Sequence, residues 1–221
     1  MLQLFSKDIF SKRAVSKLIK CFAKENNWHE LELESGDLGY GWIHYALIRI
    51  LKPKKVLCIG SKYGFVPAIC ALACKDNGVG RVSFVDAGYS QNDSNDKNRH
   101  WGGVGFWKKT DIGKYFGRFG LEKYIEFYLM TTAEFRIKHA RKKWGYIHID
   151  GDHSYCGVRN DFDFFWPLLR KGGMVAIHDI FTKNLGSLRY GVRKFWNGLK
   201  KSKKYNMFEL KGLCGLGIIQ K

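Results

Sequence analysis

Short apolar runs alternate along this chain with longer segments whose apolar positions recur at helical spacing. Residues 56–59, 82–85, 125–129, 146–149 and 174–177 are of the strand type, brief and rich in β-branched and aromatic side chains. Between them the spacing predicts helices over 67–74, 111–119, 134–142 and 158–169. Strands alternating with helices of this length imply βαβ crossovers and a parallel sheet covered on both faces. After a further helix over 188–199 the pattern changes. Residues 205–210 and 216–220 read as two strands joined by a short Gly-containing link, a hairpin that must be antiparallel. The expected architecture is α/β: a single doubly wound, mostly parallel seven-stranded sheet with an antiparallel C-terminal hairpin, occupying residues 35–221.

Residues 1–34 are expected to form a basic helical segment. Ile9, Phe10, Val15, Leu18, Ile19 and Phe22 recur near helical spacing, and Lys12, Arg13, Lys17 and Lys20 fall between them. Packing against the domain is its first expected use, and lying on a membrane surface its second. A Gly-broken connector over 35–41 leads to a helix over 42–51, stopped by Pro53. Residues 88–110, polar first and then rich in Trp and Gly, read as a functional loop or lid. No apolar run approaches the roughly 20 residues needed to span a bilayer, and no secretory signal is discernible. Six cysteines without a CxxC pair read as reduced thiols, and the expected location is the cytoplasm.

The charge adds a partner question. Thirty-eight Lys and Arg against 20 Asp and Glu give +18, a field that attracts nucleic acid, anionic membrane or anionic substrates. It is concentrated at the ends: Asp8 is the lone acid before Lys24, and Glu209 the lone acid after Lys183. The basic ends are either a solvated surface or a docking face for an anionic partner. Oligomeric state leaves no trace in the sequence.

In an open parallel sheet, ligands bind beyond the C-terminal ends of the strands. The first strand runs into Gly60-Ser61-Lys62-Tyr63-Gly64, and the second ends at Asp86-Ala87-Gly88. A Gly turn entering a helix, followed by an acid after the next strand, suits a nucleoside. The helix N-terminus offers N–H groups and the carboxylate accepts from ribose hydroxyls. Lys62 stands where a dinucleotide fingerprint needs glycine for close approach to a pyrophosphate, which argues against NAD or FAD. With VLCIGSKYGF, FVDAG, MTTAEF, YIHIDGDHSY and LLRKGGMVAIHD in that order, the chain resembles the class I (Rossmann-like) S-adenosylmethionine (SAM)-dependent methyltransferases. Within them it is most similar to the catechol-type and macrocin-type O-methyltransferase branch, over about residues 35–221.

The resemblance implies SAM as cofactor. Gly60, Lys62 and Gly64 would form the turn around its methionine part, Asp86 would take the ribose, and Ala87, Thr132 and Ala133 would border the adenine. Ser35 and Gly36 match the segment that folds over the cofactor. Cys58 stands where the superfamily commonly has an acid, and a thiol cannot hold the cofactor's ammonium as a carboxylate would. Asp150 and Asp179 match two metal-ligand carboxylates of the branch, which suit Mg²⁺, with Asp150 also bordering the cofactor. His153 matches the base three residues on, and Asp152 is the rival base. The third oxygen ligand of the family is missing, because the neighbours of Asp179 are His178 and Ile180. The implied reaction is O-methylation of a small-molecule or saccharide hydroxyl. Three other classes stay open: a nucleic-acid methyltransferase, a glycosyltransferase using Asp150-Gly151-Asp152 as a D-x-D motif, and a non-catalytic domain of the same fold.

Overall fold

The computed structural model describes residues 11–24, 27–90, 103–183 and 190–221. Seven strands form one sheet: β1 (Lys55–Ile59), β2 (Arg81–Asp86), β3 (Ile125–Leu129), β4 (Trp144–Ile149), β5 (Leu169–His178), β6 (Asn206–Leu210) and β7 (Leu216–Gln220). Their order is β3-β2-β1-β4-β5-β7-β6. The pairings are parallel from β3 through to β5, while β7 runs antiparallel to both β5 and β6. The mostly parallel sheet with its terminal hairpin is therefore as the hydrophobic pattern predicts.

Each face of the sheet buries its own core. On one side, α1 (Lys12–Phe22), α2 (Tyr40–Leu51), α3 (Phe65–Asn77) and α4 (Ile112–Gly117) pack Phe22, Ile48, Ile69 and Phe116 against Val56, Cys58 and Phe84. On the other, α5 (Thr132–His139), α6 (Tyr155–Phe165) and α7 (Val192–Ser202) bring Phe135, Phe162 and Trp196 against Leu57, Ile147 and Val175. Alternate residues of β1 thus serve opposite cores, as a pleated strand requires. The basic helix α1 commits Val15, Leu18, Ile19 and Phe22 to the first core. These four residues carry out the first use expected of the segment, packing against the domain; Ile9 and Phe10 lie outside the described residues.

Several helix boundaries differ from the sequence expectation by a few residues, α7 for instance running Val192–Ser202 rather than 188–199, and three boundaries have a clear local reason. The helix expected over 158–169 ends at Phe165, because Pro167 holds Trp166–Leu168 in a 3₁₀ turn. β5 consequently begins early, at Leu169, and its register shifts against β4 between Trp144 and Tyr146. Helix α5 starts at Thr132 rather than 134, because Thr131 and Glu134 close a capping box. Of the expected N-terminal helix, residues 8–10 lie outside the described residues, as do 188–189 of the last helix and 91–102 of the expected lid.

The loop after β4 is pinned at its exit. The Ser154 hydroxyl accepts from the Gly157 amide at 2.9 Å as the N-cap of α6. Ser154→Ala should lower the unfolding free energy by about 1 kcal/mol, the usual worth of such a cap. A urea titration showing an unchanged midpoint would remove that role.

Candidate active site

The strand order reverses between β1 and β4, so their C-terminal ends diverge into a crevice. A cavity of about 1000 Å³ occupies it, lined from the ends of β1, β2, β3, β4 and β5. The turn after β1 is compressed against the turn after β4. Gly60 sits at φ +71°, and a Cβ there would collide with the Asp150 carbonyl oxygen and lie 2.7 Å from Gly151 Cα. Only glycine combines that backbone with that proximity.

Asp86 faces the same turn from β2. One carboxylate oxygen accepts from the Ser61 amide at 3.2 Å and the other from the Gly88 amide at 2.8 Å. Burial pushes its carboxyl up to about 6 despite those two bonds. Each oxygen has one anchoring amide and keeps further acceptor capacity for a ligand hydroxyl. Lys62 lines the cavity with its ammonium 4.2 Å from the Trp28 ring centroid. Gly64 caps α3 and does not line the cavity.

The ends of β4 and β5 concentrate charge. His153 Nε2 lies 3.1 Å from Asp150 Oδ1 and 3.2 Å from Asp179 Oδ2. His178 Nδ1 lies 3.0 Å from Asp179 Oδ2 and 3.5 Å from Asp150 Oδ1, and His148 Nε2 lies 3.8 Å from Asp150 Oδ2. His178 Nε2 donates to the Trp28 carbonyl at 2.9 Å, so its other nitrogen is the one that meets the carboxylates. Burial alone would neutralise these groups, but the pairing reverses it. His178 is held well above its ordinary value, where the Asp179 and Asp150 charges overcome desolvation. His153 is raised by the same two carboxylates against its burial. Asp150 is held well below the carboxylate range, chiefly by His178 against desolvation, and Asp179 is lowered likewise. Asp179 reaches this position through a left-handed backbone, φ +64°, a conformation a non-glycine residue adopts only at a cost.

Asp150, His153 and Asp179 offer ligand atoms within 4.8 Å of one another, a grouping able to hold a metal ion. Ile180 is fully buried in the apolar core and supplies no oxygen, while His178 stands where a third oxygen would help. This mixed nitrogen and oxygen set suits the divalent ions that accept imidazole better than Mg²⁺, which prefers oxygen. The rival base turns elsewhere. Asp152 Oδ1 accepts from the Ser154 amide at 2.8 Å, and its carboxylate lies over Gly157 on α6. A D-x-D pair converging on one ion is therefore not what Asp150 and Asp152 form.

Gly60, Lys62, Asp86, Ala87, Thr132, Ala133, Asp150, Asp152, His153 and Asp179 all line the cavity. Ser35 and Gly36 do not. Ser35 donates to Glu32 at 2.6 Å, and Gly36 packs on the Lys12 backbone, so that turn serves the docking of α1. Trp28 and His29 line the cavity on that side instead. Cys58 is likewise absent from the lining. It is fully buried against Cys70, where a carboxylate would have been costly. Sequence reasoning missed Asp161, a cavity-lining carboxyl on α6 pushed up to about 8 by burial, with Asp152 adding to the shift. An acid on the apolar stripe of Val158, Phe162 and Phe165 was the available signal.

Residues 57–180 match the family model of a methyltransferase domain, more than half of the chain. The chain belongs to this methyltransferase family. Solved structures agree on the fold. The O-methyltransferase TomG from Streptomyces achromogenes, involved in tomaymycin synthesis and in complex with SAM, is 14% identical, with a TM-score of 0.62 covering 100% of this chain and 92% of that one. An O-methyltransferase from Bacillus cereus in complex with SAH is 16% identical at a TM-score of 0.61, covering 100% and 94%. An SAH-bound methyltransferase from Podospora anserina is 15% identical at 0.58, covering 100% and 98%. No protein of curated function matches the sequence. The seven-stranded sheet is that of the class I methyltransferases, and no helix among the described residues is long and apolar enough to cross a membrane.

Proposed function

We propose that this methyltransferase moves a methyl group from SAM to a hydroxyl of a small-molecule or saccharide acceptor. The observation carrying the reading is the meeting, in one cavity, of the Gly60 turn and Asp86 with the Asp150–His153–Asp179 group. SAM supplies a methyl group on a positively charged sulfur when bound. Asp86 accepts from the ribose hydroxyls, and the turn at Gly60 and Lys62 borders the methionine part. Thr132 and Ala133 open α5 beside the adenine, while Gly64 stands behind the turn as the cap of α3, outside the cavity lining. Relatives of known structure carry SAM or its product SAH (S-adenosylhomocysteine), which supports this division of the cavity.

His153 accepts the acceptor's proton. Its Nε2 donates toward both carboxylates, so the acceptor's proton arrives at Nδ1, and the same two charges stabilise the imidazolium then formed. Asp150 and Asp179 hold that ring and the incoming hydroxyl. A second reading has its own support in the ligand spacing. Asp150, Asp179 and His153 would then hold a divalent ion, which when bound lowers the hydroxyl's pKa. Free cysteines throughout, mostly buried, suit a reducing compartment such as the cytoplasm.

Calorimetry with SAH tests the cofactor half. Asp86→Ala should weaken binding roughly tenfold or more, the loss of one charge-assisted hydrogen bond. The pH dependence has a definite sign. An acid raised to about 6 is ionised above that pH and takes up a proton below it. SAH affinity should therefore be flat above pH 7 and fall as the pH drops through about 6, and Asp86→Asn should flatten the profile. Unchanged affinity in Asp86→Ala would reject the ribose assignment.

A further inference from the structure

We propose that a basic groove beside the acceptor end of the cavity binds a phosphate group carried by the acceptor; this rests on the methyl-transfer reading above and narrows its substrate class. The groove, about 650 Å³, shares Thr182, Lys183 and Tyr190 with the main cavity. Tyr190 is the partition. Its ring stacks on His153 at 5.3 Å between centroids and 17° between planes, while also lining the groove. A group in the groove is thus one aromatic ring away from the imidazole that faces the acceptor hydroxyl.

The groove's chemistry is one-sided. Lys183, Arg193, Lys194 and Lys201 line it, and among the described residues no Asp or Glu does. None of the four has a carboxylate partner among the described residues, although Lys200, adjacent to Lys201, reaches Glu209 at 2.7 Å. The contact of Lys194 is the Tyr155 ring, 5.3 Å from its ammonium. Arg193 and Lys194 also sit in the first turn of α7, a helix with no acid and no side-chain cap at that end. Cations there oppose the helix dipole, and an anion relieves both the dipole and the mutual repulsion. Asn197, Gly198 and Lys201 follow on the same helical face. A Cβ on Gly198 would meet nothing within 4 Å, so the wall stays open. Gly191, before α7, lies so close to Tyr155 that a Cβ there would collide with its backbone, which holds the start of α7 against one lining residue of the groove. Four clustered cations beside one catalytic histidine fit a compact phosphate; a polynucleotide would need a longer track.

The test uses inorganic pyrophosphate as probe and the full chain, with and without SAH. Pyrophosphate should bind, more weakly as salt rises. The double variant Lys194→Glu/Lys201→Glu should lose roughly tenfold or more of that affinity. Its SAH affinity and circular dichroism should match the wild type. Absence of pyrophosphate binding, or binding unaffected by the double variant, overturns the groove assignment. Single-stranded RNA bound far more tightly than pyrophosphate, and lost in the same variant, would overturn the small phosphorylated acceptor in favour of nucleic acid. Because SAH is titrated separately, failure of the cofactor reading shows as lost SAH binding with the pyrophosphate result untouched.

Discussion

Gly60→Ala should abolish SAH binding and destabilise the protein by more than its backbone strain alone. Two costs add at this position. A Cβ in left-handed backbone costs about 1–2 kcal/mol. The new carbon must also displace the Asp150 carbonyl and Gly151, which belong to the turn carrying the charged cluster. Forcing such a shift in a packed site adds on the order of 1–3 kcal/mol. Gly78 separates the two terms. It caps α3 at φ +65°, yet a Cβ there meets nothing within 4 Å. Gly78→Ala should therefore show only the backbone cost, with SAH affinity intact. Denaturant titration and calorimetry on both variants check this. Equal destabilisation of the two, with SAH still bound by Gly60→Ala, would mean that the packing of the β1 turn on the β4 turn does not shape the site.

The contrast between those two glycines bears on what a sequence reveals. Both are followed by apparently ordinary turn residues, and nothing in the one-dimensional pattern says that Gly60 abuts a residue ninety positions later. The sheet itself was legible, because period and burial are local: the run at 56–59 is apolar on both faces, that at 146–149 is broken only by His148, and both read as central strands. The three boundary shifts with a local reason depended on capping at Thr131 and on Pro167, whose effects reach only a few residues. The line from Asp86 to Asp150 and Asp179 was legible because each closes or directly follows a strand, and the strand ends share one edge of a parallel sheet.

What was not legible depended on contacts between distant segments. Ser35 and Gly36 were matched by position to a cofactor flap, but the basic helix α1 claimed that turn, leaving Trp28 and His29 at the cavity. His178 was visible only as a missing oxygen ligand. The Trp28 carbonyl, 150 residues away, accepts a hydrogen bond from its Nε2–H and turns the other nitrogen to the carboxylates. The absent ligand thus becomes a compensating positive charge. His153 and its sequence neighbour Asp152, the rival base, separate in space because Asp152 turns back to the amide of Ser154.

That separation sets up the test of the chemistry. With an acceptor that wild type methylates, found by transfer of a labelled methyl group from SAM to phenols and sugars, His153→Ala should cut turnover by about 10²–10⁴, the usual contribution of a positioned base. SAH affinity should stay close to wild type, because the ring contacts Asp150, Asp179 and Tyr190 rather than the Gly60 turn. Asp152→Ala should leave turnover nearly unchanged, since its carboxylate is engaged at the start of α6. Chelation then distinguishes the two uses of the cluster. Activity that survives chelator but not His153→Ala assigns the imidazole as base, with the carboxylates acting on the acceptor directly. Activity lost to chelator, together with metal content lost in His153→Ala, assigns the imidazole as the third ligand of an ion. Full turnover in His153→Ala would exclude both roles. Catalysis would then rest on proximity alone, with the acceptor oxygen held near the methyl group by the walls of the cavity.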